Sequence, residues 1–326
     1  MWDQSVLEKP ESTAAPGLCP VRSSKAARLK RIRPGYYHRP GGPPVFVPGL
    51  HWLTLLLIGR RGPPTLAHLQ WWTTRGALAS ERRWEDEALR KQAVESWGRR
   101  VLHVFDRRFA GELRELTRWR VRFVLRWPKR SHLIGPTGQE LRAWQIARGK
   151  KTWERRAIAT GRGERVRGVL ALPVHHLGID APLWRLLSRP AEGGEPWYLL
   201  TNEPVPNAAA AWRVVLAYAR RWQGEMSFRF TKSELALESP RLWFWSRRLK
   251  LLGMVALTYA LLLSLLQPDL EKVRRSLLRT FCPRTGKRSR DLSAPLYRLT
   301  PLYRLRAAIC FLFRSLRSLP QLQSPG

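Results

Sequence analysis

Apolar residues recur at helical spacing around the segment Ala217 to Glu234 (AYARRWQGEMSFRFTKSE), where Val215, Trp222, Met226 and Phe230 fall on one stripe. The spacing predicts one amphipathic helix, packed on a core, with Tyr218, Arg221, Glu225 and Lys232 projecting within about 60° of one another beside the stripe. A solvated face laced by i, i+4 ion pairs would account for such a run of charges. Elsewhere the pattern shortens to strands. His51 to Ile58 (HWLTLLLI) is a nearly continuous apolar run between glycines and reads as a buried strand. Val101 to Phe105, the alternating Val121 to Trp127 and Trp197 to Asn202 read as three more. Helices are expected over Ser80 to Arg99, with Ser80 as N-cap, over Ala110 to Arg118, and after Asn207, a cap that follows the stop Pro204-Val205-Pro206. Pro128 to Pro196 is turn-rich with short strands. After Glu238-Ser239-Pro240 a further helix runs to about Leu266; its stretch from Leu249 is apolar enough to be weighed as a membrane span. It is read as a buried core helix because Lys250 lies in its first turn and a charged helix precedes it.

Composition adds a partner to this picture. At 44% hydrophobic and 25% charged the chain is globular, yet 59 Lys+Arg face 24 Asp+Glu, a formal net charge of +35. A polyanion neutralises such an excess, and basic residues spread from Arg22 to Arg317 favour nucleic acid over a membrane surface. Gly17 to Arg33 reads as a basic loop suited to phosphate contacts, followed by a Pro/Gly-rich connector to Gly49. Cys19, Cys282 and Cys310 form no C-x-x-C pair, which argues against a zinc ribbon or disulfide framework and suits a reducing compartment. His175-His176 are read as loop or strand residues rather than metal ligands, and Met1 to Pro10 has neither the basic start nor the apolar run of a signal peptide. The tail beyond Gln267 is basic and includes an amphipathic stretch at Tyr303 to Leu316.

Three carboxylates stand out by position: Asp3 near the start, Asp106 at the carboxyl end of a strand, and Glu225 on the central helix. Asp106 either caps the helix that follows it or is displayed as a reactive group, as α/β sheets do at such strand ends. Phosphoryl transfer by two metal ions needs a set of carboxylates of this kind. The spacing Tyr218-x2-Arg221-x3-Glu225-x6-Lys232 resembles the Y-R-E-K signature of insertion-sequence transposases of the IS family four group, within the DDE superfamily. WYLLTN before the helix, VLHVFDRRF around Asp106 and DQSVLEK from Asp3 resemble that group's blocks in the same order.

The resemblance covers roughly Trp2 to Leu266. It implies an α/β fold with an RNase H-like core, a mixed central sheet flanked by helices, running over residues 1–127 and 197–266. A β-rich insertion over 128–196 divides that core, and a basic tail fills 267–326. It implies Asp3, Asp106 and Glu225 as ligands of two Mg2+ ions, with Mn2+ as a substitute, and Tyr218, Arg221 and Lys232 as holders of DNA phosphates. The partner it implies is double-stranded DNA, both the element's terminal inverted repeats and the target, with assembly as a homodimer on paired ends, no membrane, and a place in the bacterial cytoplasm at the nucleoid. Against the family pattern, the strand bearing Asp3 and the N-terminal region for end recognition read as truncated, and Arg108 stands where the family usually has glycine. The expected activity is therefore DNA cleavage and strand transfer, with a DNA-binding, catalytically inactive remnant as the alternative and a basic structural or RNA-associated protein as a third reading.

Overall fold

The computed structural model describes residues 1–10, 12, 15–23, 45–59, 63–160, 163–235, 237, 240 and 242–281. Among them one sheet contains β1 (Trp2–Glu8), β2 (Cys19–Arg22), β3 (Phe46–Leu57) and β4 (Thr65–Trp72). A second contains β5 (Leu102–Phe105), β6 (Arg122–Arg126), β7 (His132–Ile134), β8 (Glu140–Arg142), β9 (Glu154–Thr160), β10 (Gly163–His176), β11 (Ile179–Pro190) and β12 (Trp197–Thr201). The helices are α1 (Arg82–Trp97), α2 (Leu113–Arg118), α3 (Ala143–Ile146), α4 (Ala208–Ala219), α5 (Trp222–Arg229), α6 (Trp245–Ser264) and α7 (Glu271–Phe281).

The long strand β3 is the spine of the first sheet. Its Leu55 pairs with Trp2 of β1 and with His68 of β4, and its Gly49 pairs with Glu8 of β1 and Cys19 of β2. Gly49 is required there by close approach: a Cβ would stand 2.4 Å from the Leu7 carbonyl oxygen and 2.4 Å from Val21 Cγ2. Because one of those neighbours is backbone, Gly49→Ala is expected to destabilise the protein by about 3 kcal/mol, read as a lower urea midpoint.

In the second sheet β5 and β6 are parallel, and β6, β12, β11 and β10 continue antiparallel. Side chains alternate across it with period two. Phe105, Phe123 and Leu125 join α1 and α2 in one core, while Val104, Val124 and Leu199 pack under α4 in another. The result is a mixed α/β architecture with a mixed sheet flanked by helices on both faces. Residues 128–196 are β-rich as expected, and their β11 extends the same sheet through its ladder with β12, from Trp184↔Thr201 to Ser188↔Trp197.

Several local expectations are corrected. Residues 217–234 form no single helix: α4 ends at Ala219, α5 begins at Trp222, and Phe230 to Glu234 widen into a π turn. At the break the Arg221 and Gly224 amides bond three residues back, to Tyr218 O and Arg221 O, so the chain tightens and bends. The bend seats Gly224 on β1, where a Cβ would meet Met1 Cε at 2.1 Å and Asp3 Oδ2 at 3.2 Å. Further on, Thr231 turns its hydroxyl back onto Ser227 O and Phe228 O, competing with the helical ladder. Trp222 is consequently 42% exposed; Val215 and Phe230 of the expected stripe are buried, and Phe228 joins them on the buried face.

Ser80 is not the cap of α1; Glu81 occupies that place and makes no side-chain cap bond. Asn207 does cap α4, accepting from the Ala210 amide at 2.9 Å. Cys19–Arg22, read as loop, is pulled into β2 by pairing with β3, which itself begins at Phe46 inside the expected connector. In α6 the face with Leu252, Val255, Tyr259 and Leu262 is buried, whereas Met254 and Leu257 are exposed, so the core-helix reading holds for one face. Among the described residues no single helix is long and apolar enough to cross a membrane; α6 and Pro268–Leu277 pass that test only as a pair bent by 86°. Most of the basic loop and of the connector, together with Cys282, Cys310 and Tyr303 to Leu316, lies outside the described residues.

Candidate active site

Asp3 is the second residue of β1, opposite Thr54 of β3. Period two turns Trp2 into the core under α1, so Asp3 faces the other way, beneath α5. It is buried, at 7% exposure, and Oδ1 accepts from the Gln4 amide at 3.0 Å. Asp106 follows β5 and opens a 3-10 turn, Arg107–Glu112. Its carbonyl accepts from the Phe109 amide at 3.1 Å, but its carboxylate makes no capping bond, so capping does not account for it. Glu225 stands in the first turn of α5, where the helix dipole favours a carboxylate, and is exposed.

Arg221 joins these groups. Its Nη2 donates to Glu225 Oε1, and Nη1 lies 3.7 Å from Asp3 Oδ2. Burial on its own would lower its pKa, but Tyr218 and the Glu225, Asp3 and Asp106 carboxylates hold the guanidinium firmly charged. The Asp3 carboxyl is pushed up to about 7: burial acts most, opposed by Arg221 and the Gln4 amide, with Asp106 and Glu225 repelling its ionised form. Three carboxylates from three separate elements thus share one electrostatic neighbourhood.

The expected polar stripe is resolved differently along its length. Tyr218 is buried at 2% exposure, its ring against Trp197 at 5.3 Å and under the Arg221 guanidinium at 5.9 Å, and burial raises its pKa. Lys232 folds onto β1, donating to Ser5 Oγ at 2.8 Å and to Val6 O, with Nζ 5.7 Å from the centre of the Trp52 ring. The break at Arg220-Arg221 and the π turn cause this, because a continuous helix would have kept the four side chains in line. Sequence reasoning missed Arg126, whose charge acts on Tyr218, and Gly224, whose bare Cα lets α5 reach Asp3. The alternation of β6 places Arg126 one residue past Leu125, on the face of Tyr218, but only pairing with β12 brings β6 beside α4.

Among the described residues no three His, Cys, Asp or Glu side chains close around a common point, since Arg221 bridges Asp3 and Glu225. The donor chemistry nevertheless fits a hard divalent cation: the candidates are all carboxylates, and a dication would relieve the buried, proton-retaining Asp3. Compared with protein-family models and with curated proteins, the chain gives no match.

Proposed function

We propose that the chain is a DDE-type transposase with an RNase H-like core, acting on double-stranded DNA at the ends of an insertion sequence. The observation that carries this reading is the neighbourhood of Asp3, Asp106 and Glu225, three carboxylates repelling or paired around one arginine in a chain of net charge +35. Asp3, Asp106 and Glu225 would hold Mg2+, or Mn2+ in its place, which supplies Lewis acidity and an activated oxygen nucleophile at neutral pH. Arg221, freed from a carboxylate, offers a planar fork to a phosphate, and its contacts with Tyr218 fix the direction of that fork. Lys232 ties α5 and its π turn to β1, holding Glu225 over the strand of Asp3. Burial of Asp3 keeps its carboxyl out of bulk water, which strengthens every charge acting on it. A second copy on paired ends belongs to the same reading.

Duplex DNA carrying the sequences that flank the chain's own gene, incubated with the protein and Mg2+ or Mn2+, is expected to be nicked at the element ends, and chelation is expected to stop it. Absence of metal-dependent nicking from both ions would remove the catalytic reading. One observation favours a binding-only remnant: Arg221 already occupies two of the three carboxylates. That alternative predicts duplex binding whose affinity falls steeply with salt, without cleavage in any divalent ion.

A further inference from the structure

Asp3 and Asp106 are carried by two strands, β1 and β5, that belong to different sheets and share no backbone ladder. Their separation must therefore be set by side chains. The residue before Asp3 and the residue three before Asp106 meet: Trp2 Nε1 donates to His103 Nδ1 at 2.9 Å in the core. Trp2 also stacks on His103 at 6.1 Å with an interplanar angle of 16°, and on Phe105 at 6.1 Å and 6°. His103 and Phe105 are themselves parallel within 12° at 6.2 Å, since positions i and i+2 of β5 face the same way. Three flat rings thus lie between the two strands on the face opposite the carboxylates.

Resting on the reading of the carboxylates as one metal site, we propose that the Trp2–His103 pair is a positioning clasp that sets how far apart β1 and β5 hold Asp3 and Asp106. Donation from the indole requires an unprotonated Nδ1, so His103 is the neutral tautomer with its proton on Nε2. Burial, with Arg90 among the positive charges around it, pushes His103 down to about 4, in keeping with that tautomer at neutral pH. Both side chains are buried in the core, so the pair acts through the strands. Period two makes the coupling direct, because shifting Trp2 in the core moves Asp3 on the opposite face by the same strand displacement.

Four variants of the full chain test the clasp. His103→Phe keeps a ring in the stack but removes the acceptor, Trp2→Phe removes the donor, and His103→Asn keeps an acceptor near the place of Nδ1. Val169→Ala, in the second core under α4, is the control for general loosening. Amide hydrogen exchange is expected to quicken about tenfold over Met1–Glu8 and Leu102–Phe105 in His103→Phe and Trp2→Phe, to return towards wild type in His103→Asn, and to show no such focus in Val169→Ala. Unchanged exchange in both ring variants, or an equal rise in Val169→Ala, overturns the clasp; should His103→Phe fail to fold, Trp2→Phe decides. Mn2+ affinity, measured alongside by paramagnetic resonance of the free ion, is expected to weaken about tenfold in the two ring variants and to recover in His103→Asn. Mn2+ affinity equal to wild type in both ring variants also overturns it. A wild-type chain that binds no Mn2+ defeats the metal reading instead, and the exchange pattern then decides the clasp by itself.

Discussion

Asp106→Asn and Glu225→Gln, made separately, are expected to slow metal-dependent nicking by about a thousandfold or more while leaving duplex affinity without divalent ion within about threefold. Both replacements keep the shape of the side chain and remove its charge. Both carboxylates are lightly held by the fold: Asp106 makes no capping bond, and Glu225 is exposed with an ion pair to Arg221. A surface pair of that kind contributes on the order of 1 kcal/mol or less. Loss of a ligand that sustains Lewis-acid stabilisation removes several kcal/mol from the transition state, and each 1.36 kcal/mol is about tenfold in rate. The unequal effect on rate and on binding separates a ligand role from a structural one. Gel shift without divalent ion and single-turnover nicking in Mg2+ measure the two sides; a nicking rate unchanged in both variants refutes the assignment of Asp106 and Glu225.

What could be seen in the sequence was what depends on neighbours along the chain. The strands at His51, Val101, Val121 and Trp197, the Asn207 cap and the exit of Asp106 from a strand follow from local alternation and cap chemistry, and the structure contains each of them. The break at Arg221 was not visible, because nothing in a helical period records that Gly224 must come to rest on Met1 and Asp3, residues more than two hundred positions away. The strand of Asp3 reads as truncated when it is expected to precede that residue, whereas β1 runs on from Trp2 to Glu8: WDQSVLE is half polar, and it becomes a strand through its seven-residue register with β3. The family resemblance gives Lys232 the part of a phosphate holder, yet its three-dimensional partners Ser5 and Val6 belong to the strand of Asp3. The candidate site was therefore legible as a set of residue types and opaque as a geometry, since long-range contacts choose which way each group turns.

Asp3 also makes the stability of the protein depend on pH in a direction opposite to that of an ion-paired surface carboxylate. Its folded pKa is raised from 3.8 to about 7, first by burial and then by Asp106 and Glu225. The native state therefore retains a proton that the unfolded chain has already released, and linkage makes stability fall as pH rises from about 4 to about 7. A shift of that size corresponds to about 4 kcal/mol at 1.36 kcal/mol per unit, fully lost above pH 7. Asp3→Asn, which cannot ionise, is expected to flatten this part of the profile and to exceed wild type at pH 8 by up to about 4 kcal/mol, with little difference at pH 4. Arg221→Met should act in the opposite sense, because it removes the cation that offsets burial and so moves the Asp3 titration further up. Urea unfolding at pH 4, 6 and 8 measures all three proteins, and wild-type stability that rose between pH 4 and 7 while Asp3→Asn matched it throughout would contradict the buried-carboxyl account. Mn2+ or Mg2+ at pH 8 adds a last discrimination: with Asp3 largely ionised there, a dication that neutralises its buried charge should stabilise the wild-type chain and leave Asp3→Asn nearly unmoved.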